Sequence, residues 1–272
     1  MFLTKFFKRL SGTIEIKWQL VVVELCIVFF GVYLAFLLNS HQQEQYVKQE
    51  GEKVWSSLKL ELEAIRFSFP IWVEYQKSQN EKWDSLFANQ EVGKFYTWRY
   101  IQPQYDFTTI EYALSTRESS IVDFDMYKKL TELNQNIQML RHSEELMTET
   151  GFKYKNIHSK LPKTSKEYLQ LTADNRLYFF KFIDFSKIRV NIMNRIVLSV
   201  IDQLEIIDKK LGPEKSLELE KSFIQKQIIM LADNATPEEI LARIKEVFPD
   251  LSDQQIKNIY DAAHKEIAAS SD

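Results

Sequence analysis

The chain has 272 residues, a formal net charge of −3, 45% hydrophobic residues and 13% aromatics. That balance excludes a disordered chain and offers no basic surface for nucleic acid. Six glycines and six prolines are few for a β-rich or loop-rich protein, and the single cysteine, Cys26, cannot form an intrachain disulfide.

Residues 1–17 read as a short cytoplasmic stub. Phe2, Leu3, Phe6, Phe7 and Leu10 interleave with Lys5, Lys8 and Arg9, a pattern that suits either a membrane surface or a plain positive flank. Trp18 to Leu38 then holds about 21 residues with Glu24 as its one charge, enough as a helix to cross roughly 30 Å of hydrocarbon. A transmembrane helix over 18–39 is the expectation. The run ends in Phe36-Leu37-Leu38-Asn39-Ser40-His41, which lacks the small residues of a signal-peptide cleavage site, so the anchor should stay uncleaved. Lys5, Lys8, Arg9 and Lys17 precede it, against Lys48 and Lys53 after it, so the N-terminus should lie in the cytoplasm and the rest outside.

An ionised carboxylate in lipid is costly, which leaves three roles for Glu24. It can reach the near interface and Lys17, join a helix–helix contact, or carry a proton as in an ion-motor subunit. Gly31 and Ala35 form a small-xxx-small pair that lets two backbones approach, and Glu24 lies seven residues before Gly31. Glu24, Gly31 and Ala35 are therefore the candidate membrane-helix contact, a route to a homo-oligomer.

Beyond the span, Val47, Val54, Leu58, Leu62, Ile65 and Phe69 recur on one helical stripe. A helix continuous from Trp18 to Phe69 would measure roughly 75–80 Å at 1.5 Å per residue. Pro70 is expected to break or turn it, with a second helix carrying Trp72, Tyr75, Trp83 and Leu86. Glu91 to Phe107 is the one stretch that does not read as helix. Tyr96, Trp98 and Tyr100 alternate there with Thr97, Arg99 and Ile101, as in a short strand or hairpin arm. Tyr96, Trp98, Arg99 and Tyr100 could bind a sugar or peptide, or form a lid over a helical core.

Thr108 with Glu111 suggests a capping box. Asp123 or Asp125 caps a longer helix with Tyr127, Leu130, Leu133, Ile137, Leu140 and Met147 inside. Pro162 stops what precedes it, and Thr164 with Glu167 resembles another cap. A long helix over about Asn175 to Leu211 buries Phe179, Phe182, Ile183, Ile192, Ile196, Val200, Leu204 and Ile207, and Gly212-Pro213 ends it. Residues 40–212 thus read as an antiparallel bundle of long helices. Residues 213–272 read as a small helical module, with Thr236-Pro237-Glu238-Glu239 as a strong start signal.

No catalytic pattern emerges. His41, His142, His158 and His264 lie far apart, and there is no phosphate-binding glycine loop, H-E-x-x-H or G-x-S-x-G. No cofactor is expected.

Two stretches carry a resemblance. Glu24-Leu-Cys-Ile-Val-Phe-Phe-Gly31, with Ala35 and Asn39, resembles the span of an uncharacterised family of bacterial single-span proteins. Thr108 to Leu114, through Ser119 and on from Ile121 to Leu133, is similar to the helix–turn–helix in that family's outer domain. Ser40-His41 departs from the family's Asn-Trp. The resemblance implies a bacterial inner-membrane anchor and a helical periplasmic domain, and it brings no known activity. The sequence is therefore read as a non-enzymatic, membrane-anchored helical protein acting through protein contacts with an unidentified envelope partner. The alternative is an ion-motor stator-like subunit with Glu24 as proton carrier. An enzyme site among Arg99, Arg117, His142 and His158 is the remaining class.

Overall fold

The computed structural model describes residues 18–90, 106–115, 122–154, 161–232 and 235–270. Among them are seven helices and no strand: α1 (Trp18–Ala88), α2 (Thr108–Ser115), α3 (Phe124–Lys153), α4 (Lys166–Leu211), α5 (Pro213–Leu231), α6 (Pro237–Val247) and α7 (Asp253–Ser270). The chain is all-α. It divides into two compact units, Met1–Glu50 and Gly51–Asp272.

In the first unit the described residues are all helical, and every side chain from Val23 to Asn39 is exposed. Phe29 stacks on Tyr33 one turn on, with ring centroids 6.4 Å apart.

In the second unit α1 runs straight through Pro70, where a break is expected from the sequence. An interior proline removes a hydrogen bond, crowds the preceding turn and costs about 3 kcal/mol. Phe69 and Val73, buried on either side of it, each contribute about 1.5–3 kcal/mol of apolar burial, enough to outweigh that cost. Trp72, Tyr75, Trp83 and Leu86 therefore belong to the same helix as Leu58 and Leu62, not to a second one.

Helix α4 is the centre of the bundle. Its inner face carries Phe179, Phe182, Ile183, Val190, Met193, Ile196, Val200, Leu204 and Ile207, all buried at helical spacing. The pairs Asp123–Lys210 and Glu144–Arg189 run α3 antiparallel to it. Lys59–Asp208 and Asp84–Lys187 do the same for α1. The main core joins Leu58, Leu62 and Ile65 of α1, Ile110 of α2, Leu130, Leu133 and Ile137 of α3, and the Ile192-to-Ile207 stretch of α4. A smaller aromatic cluster of Trp83, Met147, Tyr154, Phe179, Phe182 and Ile183 fills another part of the bundle.

Three local expectations change. The N-terminus of α2 is not closed by Thr108 and Glu111. Asp106 accepts from the Thr108 N–H at 3.0 Å, and Glu61 of α1 accepts from Thr109 and Ile110 at 2.9 and 3.1 Å. Glu111 is drawn instead to Arg141, 3.0 Å away. The cap of α4 is Ser165, not Thr164, and the helix starts at Lys166 rather than near Asn175. Tyr127 is exposed, and Met126 takes the inner place on α3.

A single residue, Gly212, joins α4 to α5. Its φ of 80° is open to glycine and strained for other residues. Helices α5, α6 and α7 then enclose a core of Phe223, Ile224, Ile228, Ile240, Ile244, Phe248, Leu251, Ile256, Ile259 and Ala263. That core also takes in Phe67 of α1. Thr236 and Glu239 form the expected capping box at the start of α6.

Candidate functional site

Glu24, Gly31 and Ala35 share one side of α1, since steps of seven and four return to nearly the same face. All three are exposed. A side chain built at Gly31 would meet nothing within 4 Å, so the close-approach position is open. From Val23 to Leu38 the large apolar side chains are 45–69% exposed, and this helix is long and apolar enough to cross a membrane. Tyr96, Trp98, Arg99 and Tyr100, and with them the expected strand or lid, lie outside the described residues.

Of the other polar residues considered, His142 pairs on the surface with Glu145 at 3.7 Å. His41 bonds Gln45 at 2.9 Å, and the His264 ring lies 4.4 Å from that of Tyr260. Arg117 and His158 lie outside the described residues. Among the described residues no three His, Cys, Asp or Glu side chains converge as a metal site would need.

Two groups of polar side chains inside the second unit were not legible from the sequence. In the bundle interior, Arg189 Nε donates to Glu144 at 2.7 Å, and its Nη1 donates to Gln76 Oε1 at 3.0 Å. Gln76 Nε2 donates to Ser186 Oγ at 2.7 Å, and the Ser186 hydroxyl donates onward to Asn80. Arg189 and Glu144 are 1% and 0% exposed. Charges removed from water to this degree persist only when paired and hydrogen-bonded. Each one here is.

The second group lies where the C-terminal helices meet α1 and α4. Lys59, 1% exposed, donates to Asp208 at 2.6 Å and to Glu63 at 3.4 Å. Ser216 Oγ of α5 donates to the same Asp208 oxygen at 2.6 Å. Arg66 pairs with Glu63 at 3.5 Å, donates to the Val247 carbonyl of α6, and stacks on Phe248 at 5.0 Å. Burial pushes the Glu63 carboxyl above its usual range, outweighing the pull of Arg66 and Lys59. Glu220 of α5 is pushed up as well, first by burial and then by the charge on Glu63. This junction can hold or take up a proton.

Either group could be found in sequence only as polar residues interrupting an apolar stripe: Lys59 and Glu63 flank Leu62, and Arg189 precedes Val190. Comparison with known proteins adds nothing further, because no family model, curated protein or solved structure matches this chain.

Proposed function

We propose that this chain is a non-enzymatic, membrane-anchored helical protein that acts through protein contacts in the bacterial envelope. Residues 1–17 lie in the cytoplasm, 18–39 cross the inner membrane, and the remainder folds in the periplasm. The observation that carries the reading is the unbroken apolar surface from Val23 to Leu38, exposed on every side. Burying a large apolar side chain is worth about 1.5–3 kcal/mol, so leaving this surface in water forfeits on the order of 10–20 kcal/mol. A bilayer removes that penalty. The polar groups of the bundle interior support a structural role for themselves, since Arg189, Glu144, Gln76 and Ser186 satisfy one another.

Membrane extraction tests the anchor. The full-length chain should stay with the membrane pellet through alkaline carbonate and leave it only with detergent. Replacing both Val28 and Phe29 with lysine should move it to the soluble or aggregated fraction. Release of the wild-type chain by carbonate would overturn the proposal.

A further inference from the structure

The hinge and the charges around it point to a moving part. Gly212 is the whole connection between α4 and α5 and holds a φ of 80° with open space around it. Asp208 stands one turn before it and Ser216 one turn after, and their side chains close across it at 2.6 Å. Beyond the hinge, α5 and α6 are tied back onto α1 by a few polar links. Arg66 donates to the Val247 carbonyl, and Arg243 donates to the Phe67 carbonyl at 2.9 Å. Lys59 bridges α1 to Asp208.

The charges at this joint do not balance. Helix α1 contributes Lys59, Glu63 and Arg66, α4 contributes Asp208, and α5 contributes Glu220. Three carboxylates face two cations. With Lys59 and Glu63 both 1% exposed, little water screens the excess negative charge.

We propose that this junction is a proton-linked latch across the Gly212 hinge, in which α5–α7 close onto α1 with uptake of one proton by the Glu63–Glu220 pair. Acid tightens the latch and rising pH loosens it. Burial and mutual repulsion raise both carboxyls above the ordinary value of 4.5 in the closed state. A group whose affinity for protons is higher when closed favours closure fully below its open-state value. It loses that contribution as pH climbs through the closed-state value. The two glutamates interact, so the proton belongs to the pair rather than to either one.

The test is hydrogen exchange of the full-length chain in lipid nanodiscs between about pH 5 and pH 7.5, corrected for intrinsic exchange. The opening constant of α5–α7 amides is compared with that of α3–α4. The latch predicts that relative opening rises with pH, at no more than tenfold per pH unit, the limit for one linked proton. Glu220→Gln mimics the protonated state at the better exposed site and should hold α5–α7 closed throughout, with the slope abolished. Glu63→Gln should do the same where it folds. Relative opening that is flat or falls with pH in the wild-type chain overturns the latch. So does a wild-type slope retained by Glu220→Gln.

Discussion

Arg243 Nη2 of α6 donates to the Phe67 carbonyl of α1 at 2.9 Å, three residues before Pro70, and its guanidinium lies 5.7 Å from the centre of the Phe67 ring. A proline inside a helix weakens the hydrogen bonding of the turn before it. A charged donor from a helix far along the sequence meets that turn here. The same residue that loosens α1 thus helps to dock α6.

Removing the donor should be costly. Arg243→Ala is expected to lower stability by about 2 kcal/mol, the scale of a hydrogen bond to a charged group. Arg243→Lys should recover less than half, because an ammonium lacks the planar fork that bonds and stacks together. Denaturant unfolding of the detergent-solubilised chain, followed by circular dichroism, measures both.

The interior pair offers a second test. Arg189→Met or Glu144→Leu alone strands a charge that is almost wholly buried, at a cost of about 3–5 kcal/mol. The double substitution should cost less than the sum by about 1–3 kcal/mol of coupling. A double-mutant cycle on unfolding free energies reads this directly. Strict additivity would show that the two side chains do not act as a pair.

Acid should act on the α3 cap in the opposite direction to the latch. Lys210 beside Asp123, and then the Met126 N–H, hold that carboxyl below its ordinary 3.8. A lowered folded-state value means a contribution present above 3.8 and lost as pH falls through the folded value. Asp123→Asn keeps an acceptor for the Met126 N–H but cannot titrate. Its urea midpoint should therefore fall less steeply than wild type between about pH 5 and pH 3.

Much of this fold was legible because its signals are local. The apolar spacing of α4, the Gly212-Pro213 stop, the Asp123 cap and the Thr236–Glu239 box all depend on residues within a turn or two. Pro70 misled for the opposite reason. A local rule says that a helix stops there, while the burial of Phe69 and Val73 and a donor 176 residues away keep it going. Glu61 likewise sits in mid-helix yet caps α2 from 48 residues away. The charged junction is invisible for the same reason, since Lys59 and Asp208 are 149 residues apart.

Self-association of the span separates two roles for its residues. Interhelical hydrogen bonds in membranes average about 0.6 kcal/mol, so close backbone contact at Gly31 should dominate over Glu24. Gly31→Leu is expected to weaken association in a membrane two-hybrid assay more than Glu24→Gln does. Wild-type association by both variants would remove this face as the contact. Loss of function in Glu24→Gln with association intact would instead favour the proton-carrying, stator-like role.

The most direct measurement is topology in the living cell, with reporters fused after Asp272. Residues 18–39 as an anchor with the N-terminus inside predict active alkaline phosphatase at that fusion and a dark cytoplasmic fluorescent reporter. A bright fluorescent fusion with inactive phosphatase would contradict both the orientation and the periplasmic location of the bundle.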